Sequence, residues 1–307
     1  MKRKTTKIIL LIIFGSIVIV FLAALDKHLK VKRLVDAFKS RAEISEEITI
    51  TFTNGAVEKR MYHPIARDQL YEVEDQRSVF YTNKKEPFLG QKGDIFVTQD
   101  SPFPYVFGVH QAITFFVGGH AALNDGENTF IEAVGFPKND EKIFDIIKDP
   151  SDGTHDFSVG VKKSSTNYWM LPDYRNESDQ SFASYGTYYR DKFAVLRVKD
   201  ITETILNDTI SYAQTHLENR SLYNFMFITD TSNKFYCTDL ISRSYRFGFY
   251  PNDIEPKYPN TLNDNGFVTT VNDLILSSDT YIAVYVENKD EIRHIYYLDD
   301  VDLTSVV

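Results

Sequence analysis

Three residue types that together can perform acyl-transfer chemistry stand in settings that set them apart. Cys237, the chain's single cysteine, ends an extended apolar stretch and opens a helix-like segment in FYCTDLISRSY, where Leu240, Ile241 and Tyr245 keep helical spacing. A thiol at a helix start meets unpaired N–H groups and the positive end of the macrodipole, both of which favour its anionic form. His120 follows Gly118-Gly119 and begins an apolar stretch, His120-Ala121-Ala122-Leu123, in which a polar residue is out of pattern. Glu132 is the acid inside FIEAVG, where burial is costly unless the carboxylate is paired. A thiol, an imidazole and a carboxylate supply a nucleophile, its base and the group that orients the base. In that arrangement Cys237 attacks, His120 takes and returns the proton, Glu132 holds the ring, and the Cys237 N–H is an oxyanion donor. Taken singly, each has a structural alternative: a buried structural cysteine, a satisfied core histidine, an edge salt bridge.

The turn Asn124-Asp125-Gly126-Glu127 separates two apolar runs, Ala112 to Asn124 and Asn128 to Gly135. This spacing predicts an antiparallel hairpin that puts His120 and Glu132 on one pair of strands. The two glycines before His120 let another backbone approach closely. Further strands are expected over Ile48 to Phe52 with a turn at Asn54-Gly55, over Gly93 to Asp100, Phe193 to Lys199 and Tyr281 to Glu287. Ile201 to Arg220 reads as an amphipathic helix with Ile205, Ile210, Ala213 and Leu217 facing inward. Lys138 to Arg190 is a polar, Tyr-rich insertion whose roles could include a lid or a substrate groove.

The N-terminus carries MKRKTTK and then Ile8 to Leu25, about 18 residues without a charge, enough to cross a hydrocarbon core as a helix. Leu22-Ala23-Ala24 is a weak cleavage site, so an uncleaved anchor is expected rather than a removed signal peptide. Lys2, Arg3, Lys4 and Lys7 place the N-terminus in the cytoplasm and the body outside, against competing charges at Lys27, Lys30, Lys32 and Arg33. The expected organisation is an anchor over 1–25, a juxtamembrane stalk over 26–60 with Leu29, Leu34, Val35 and Phe38 as an apolar stripe, and one domain over 61–300. With a net charge of −9 and no dominant basic patch, nucleic acid is not an expected partner. One cysteine excludes an intrachain disulfide framework. His110, His120 and His155 are too loosely spaced to suggest a metal site, and no Gly-rich phosphate loop is present, so neither metal nor cofactor is expected.

In this order, GDIFV, GGHAALN, FIEAVG, YNFMF with FYCTDLISRSY, and VNDLILSS resemble the circularly permuted papain-like amidases of the NlpC type, the YiiX/YaeF-like group. The resemblance covers Gly93 to Tyr285 with gaps, and it departs from the family in Thr238-Asp239, where Ser-Glu is commoner, and in the long insertion. It implies an α+β fold: a central antiparallel sheet or barrel with packed helices, in which the histidine strand precedes the cysteine helix. It implies Cys237 as nucleophile, His120 as base and Glu132 as the third polar residue, with Tyr236 and Gly93-Asp94 in structural roles. The activity implied is amide hydrolysis through a thioester, on a cell-wall peptide or an acyl lipid. Acyl transfer from the same thioester and a non-catalytic binding module are the alternatives.

Overall fold

The computed structural model describes residues 2–52, 55, 57–82, 88–100, 109–138, 140–171, 191–227, 232–250, 262 and 268–300. They form a mixed α+β body around one large sheet, preceded by a long apolar helix. Eleven strands are described: β1 (Glu46–Thr51), β2 (Val57–Ile65), β3 (Ile95–Thr98), β4 (His120–Asn124), β5 (Phe130–Val134), β6 (Gly160–Lys163), β7 (Lys192–Val198), β8 (Leu222–Tyr223), β9 (Lys234–Phe235), β10 (Thr280–Lys289) and β11 (Ile292–Leu298). Nine of them make a sheet in the order β1-β2-β11-β10-β7-β3-β4-β5-β6, and β8 and β9 pair separately in parallel. The expected antiparallel sheet is interrupted once, where β11 runs parallel to β2. The strand order is open, with β1 and β6 at its edges.

The first helix, α1 (Lys2–Ser40), is continuous and long and apolar enough to cross a membrane. The segment expected to be a stalk is instead part of the body. The second half of α1 docks through buried Val31, Val35 and Phe38, with ion pairs Lys27–Asp273 (2.6 Å) and Lys39–Glu287. Leu29 and Leu34 of the expected stripe are exposed, at 44% and 40%, because the docked face runs through Val31. β1 and β2 are sheet strands, so a domain boundary at residue 61 would cut β2. Asn54 of the expected turn lies outside the described residues.

The run Ala112 to Asn124, read as a single bent strand, divides at its glycines into helix α3 (Val109–Phe116) and β4; α2 (Leu70–Glu74) is the helix before it. Short apolar runs do not separate helix from strand by pattern alone, and the break in secondary structure falls at Gly118-Gly119. A Cβ on Gly119 would lie 1.7 Å from the Asp100 carbonyl oxygen, so the close backbone approach expected there is present and requires glycine. The insertion, as far as described, builds α4 (Ile143–Lys148), the edge strand β6 and a 3-10 turn, Tyr168–Met170; residues 172–190 lie outside the description.

The amphipathic helix is α5 (Glu203–Glu218), capped by the Thr202 hydroxyl accepting from the Ile205 N–H at 3.2 Å. The cysteine helix is α6 (Cys237–Phe249), packed on α5, β4 and β5. VNDLIL forms α7 (Val271–Leu276), whose Thr270 and Asp273 make a reciprocal capping box. Behind the His120 strand, Phe96, Phe130, Trp169 and Phe193 pack ring against ring at centroid distances of 4.8 to 6.3 Å. Asp94 and Arg197 form a fully buried ion pair (2.9 Å) under β3, which gives the Gly-Asp motif a structural role.

Candidate active site

β4 and β5 pair antiparallel with Leu123 opposite Ile131 and Asn124 opposite Phe130. Extending this register sets Glu132 across from Ala122 and diagonal to His120, on the same face of the sheet. The side chains meet: His120 Nε2 lies 2.5 Å from Glu132 Oε2. The imidazole is also hydrogen-bonded to the Cys237 side chain, which stands at the first position of α6. All three residues singled out in the sequence therefore converge on one imidazole, although His120 and Cys237 are more than a hundred residues apart.

The electrostatics follow from that contact. Burial alone would lower the His120 pKa, but hydrogen bonds to Cys237 and Glu132, with their charges, outweigh it and push the pKa up to about 10. At neutral pH the ring is an imidazolium whose two N–H groups point at sulfur and carboxylate. The His120 and Glu132 side chains are 14% and 8% exposed, so both charges are largely withdrawn from water. Glu132 also accepts a hydrogen bond from the Tyr168 hydroxyl at 2.6 Å, on the same oxygen that meets His120. The neighbouring Trp169 lies parallel to the His120 ring, with 6.2 Å between centroids and 12° between planes.

The first turn of α6 holds the cysteine through its neighbours. The Tyr236 hydroxyl accepts from the Thr269 N–H at 2.9 Å, and the Thr238 hydroxyl donates to the Thr269 carbonyl at 2.6 Å. Cys237 is thus clamped from both sides to Thr269, two residues before α7. Asp239 is consumed by a buried pair with Arg243 (2.7 Å), whose guanidinium lies over the Phe235 ring. Neither Thr238 nor Asp239 caps the helix, and Tyr236 supplies no side-chain cap, so the leading N–H groups carry no side-chain cap.

Tyr168, Trp169 and Tyr223 were not read from the sequence as site residues. Tyr223 is raised well above its ordinary pKa by burial and by the charges of Cys237 and Tyr236, so its hydroxyl keeps its proton. Its ring occupies space that a Cβ at Gly135 would fill, at 2.6 Å, which explains the glycine ending FIEAVG. The aromatic richness of the insertion was the signal for Tyr168 and Trp169, without any spacing to indicate which rings face the hairpin. Among the described residues, no group of three or more His, Cys, Asp or Glu side chains is placed to hold a metal ion. No protein-family model matches the chain, and neither does any curated protein or solved structure.

Proposed function

We propose that this chain is a membrane-anchored cysteine hydrolase, cleaving an amide in a cell-wall peptide or an acyl lipid through a thioester. The observation that carries the reading is the single imidazole that meets Cys237 on one side and Glu132 on the other. The order of the parts, a histidine strand followed much later by a cysteine helix packed on it, supports a circularly permuted papain-like domain.

The imidazole hydrogen-bonded to Cys237 is placed to exchange its proton, and the helix start offers N–H groups to the reacting atoms. The Cys237 thiolate attacks the substrate carbonyl carbon, a C–S bond forms, and the carbonyl electrons move to oxygen. The leading N–H groups of α6, which carry no side-chain cap, are the donors proposed for the developing oxyanion, together with the Tyr223 hydroxyl. Collapse breaks the C–N bond as His120 gives its proton to the departing amine. Water then attacks the thioester while His120 takes its proton, and breaking the C–S bond restores thiolate and imidazolium. Glu132, braced by Tyr168, keeps the ring oriented through both halves.

α1 anchors the enzyme as a single pass, with the body on the outer face. The test is a thiol-directed activity probe on the full chain. Labelling is expected to vanish in Cys237→Ser and to collapse in His120→Ala. Labelling indifferent to His120→Ala would mean an inert thiol and sink the reading.

A further inference from the structure

We propose that α3 is a second membrane contact, seating its exposed aromatic end in the lipid bilayer beside α1. The proposal rests on the anchor reading of α1 and is independent of the chemistry at Cys237.

Along α1, Ile9, Leu11 to Phe14 and Ile17 to Leu22 form a run of exposed apolar side chains, which is the surface offered to lipid. The uncharged stretch ends at Leu25. Phe115 of α3 stacks on Phe21, one turn before that end, with ring centroids 5.0 Å apart. The same ring stacks on His28, three residues beyond it, also at 5.0 Å. At about 1.5 Å rise per residue, Phe115 therefore sits level with Leu25, within about 6 Å of either partner along the axis. The His28 ring also hydrogen-bonds the Phe115 carbonyl through Nε2 (2.9 Å), fixing α3 to α1 at that height.

The surroundings change character across this level. Just past it stand the Lys27–Asp273 ion pair and the Gln99–Asn272 hydrogen bond (2.6 Å), a polar layer suited to headgroups. Beside this stack, Phe116 is 42% exposed and Ala112, one turn earlier on the same face, is exposed too. An exposed phenylalanine on a helix packed against a long apolar helix is the pattern of an interfacial element. Lipid is the occupant because the adjoining surface is that of the anchor itself. From Phe116 to His120 the backbone spans at most about 14 Å, so the end of α3 lies within that reach of the His120 backbone.

The full chain, reconstituted in phosphatidylcholine vesicles whose acyl chains carry bromine near the headgroup, tests this. The only tryptophan, Trp169, is 1% exposed and gives the unquenched baseline. Phe116→Trp and Ala112→Trp are expected to lose emission to bromolipid to an extent similar to Ile17→Trp in the anchor. Phe144→Trp, on an exposed part of the body, is expected to lose emission only to aqueous iodide. Either α3 probe quenched by iodide and spared by bromolipid would overturn the proposal, as would one spared by both, which would mean a protein cover. If Ile17→Trp is also spared by bromolipid, the anchor reading falls and takes the proposal with it, while probe labelling of Cys237 stands apart from that result.

Discussion

Replacing Glu132 with glutamine removes a charge and leaves an oxygen of the same reach to accept from His120 Nε2 and from Tyr168. The His120 pKa of about 10 is held up jointly by Cys237 and Glu132 against burial. An opposite charge in direct contact accounts for about 1–3 pKa units, so the variant's ring should titrate at roughly 7–9. That difference corresponds to about 1.4–4 kcal/mol of preference for the imidazolium. Histidine-selective NMR titration of the full chain reads it directly, with the His120 signal identified by its absence in His120→Ala. The same shift has a stability consequence whose sign is fixed. A histidine with a raised folded pKa contributes stability that is complete below its unfolded pKa, about 6.5, and is lost as pH rises through the folded value. Wild type should therefore keep this contribution up to about pH 10, and Glu132→Gln should lose it earlier, with the gap in melting temperature opening through the alkaline range. If His120 titrates at the same pH in both proteins, Glu132 does not stabilise the imidazolium and the electrostatic reasoning fails.

Tyr168→Phe deletes a hydrogen bond to a buried carboxylate and should cost about 1.5–3 kcal/mol in denaturant unfolding, with probe labelling reduced less than by His120→Ala. Labelling as low as in His120→Ala would make Tyr168 more than a brace. Gly119→Ala would force a methyl against the Asp100 carbonyl and should destabilise by about 3 kcal/mol, read as a lowered melting temperature; an unchanged melting temperature would contradict the backbone approach described here.

Local signals made the core of the candidate site legible. The Asp-Gly turn and the apolar runs beside it specify the β4–β5 hairpin, and a polar residue in each run marks His120 and Glu132. The Cys237 helix follows from helical spacing after an extended segment. What the sequence hid depends on partners far apart in the chain. Tyr168 lies 36 residues from Glu132 in a segment with no periodicity, so nothing local indicates that its hydroxyl faces the carboxylate. α3 is short and apolar, which suits helix and strand equally. Thr238 and Asp239 both stand in the first turn of α6, yet Thr238 is taken by Thr269, 31 residues on, and Asp239 by Arg243, one turn along the same helix. The segment after α1 looked like a tether because its sheet partner, β11, lies more than two hundred residues downstream.

That last pairing sets an order of events during synthesis. The β1–β2 hairpin leaves the ribosome early, with α1, but among the described residues its bond to the rest of the sheet is through β11. Until β11 has been made, β2 presents an unsatisfied edge, and a long loop must close before it is covered. α1 thus emerges well before the sheet is complete, and the interval between them is the period when nascent chains held side by side are most exposed to pairing with one another.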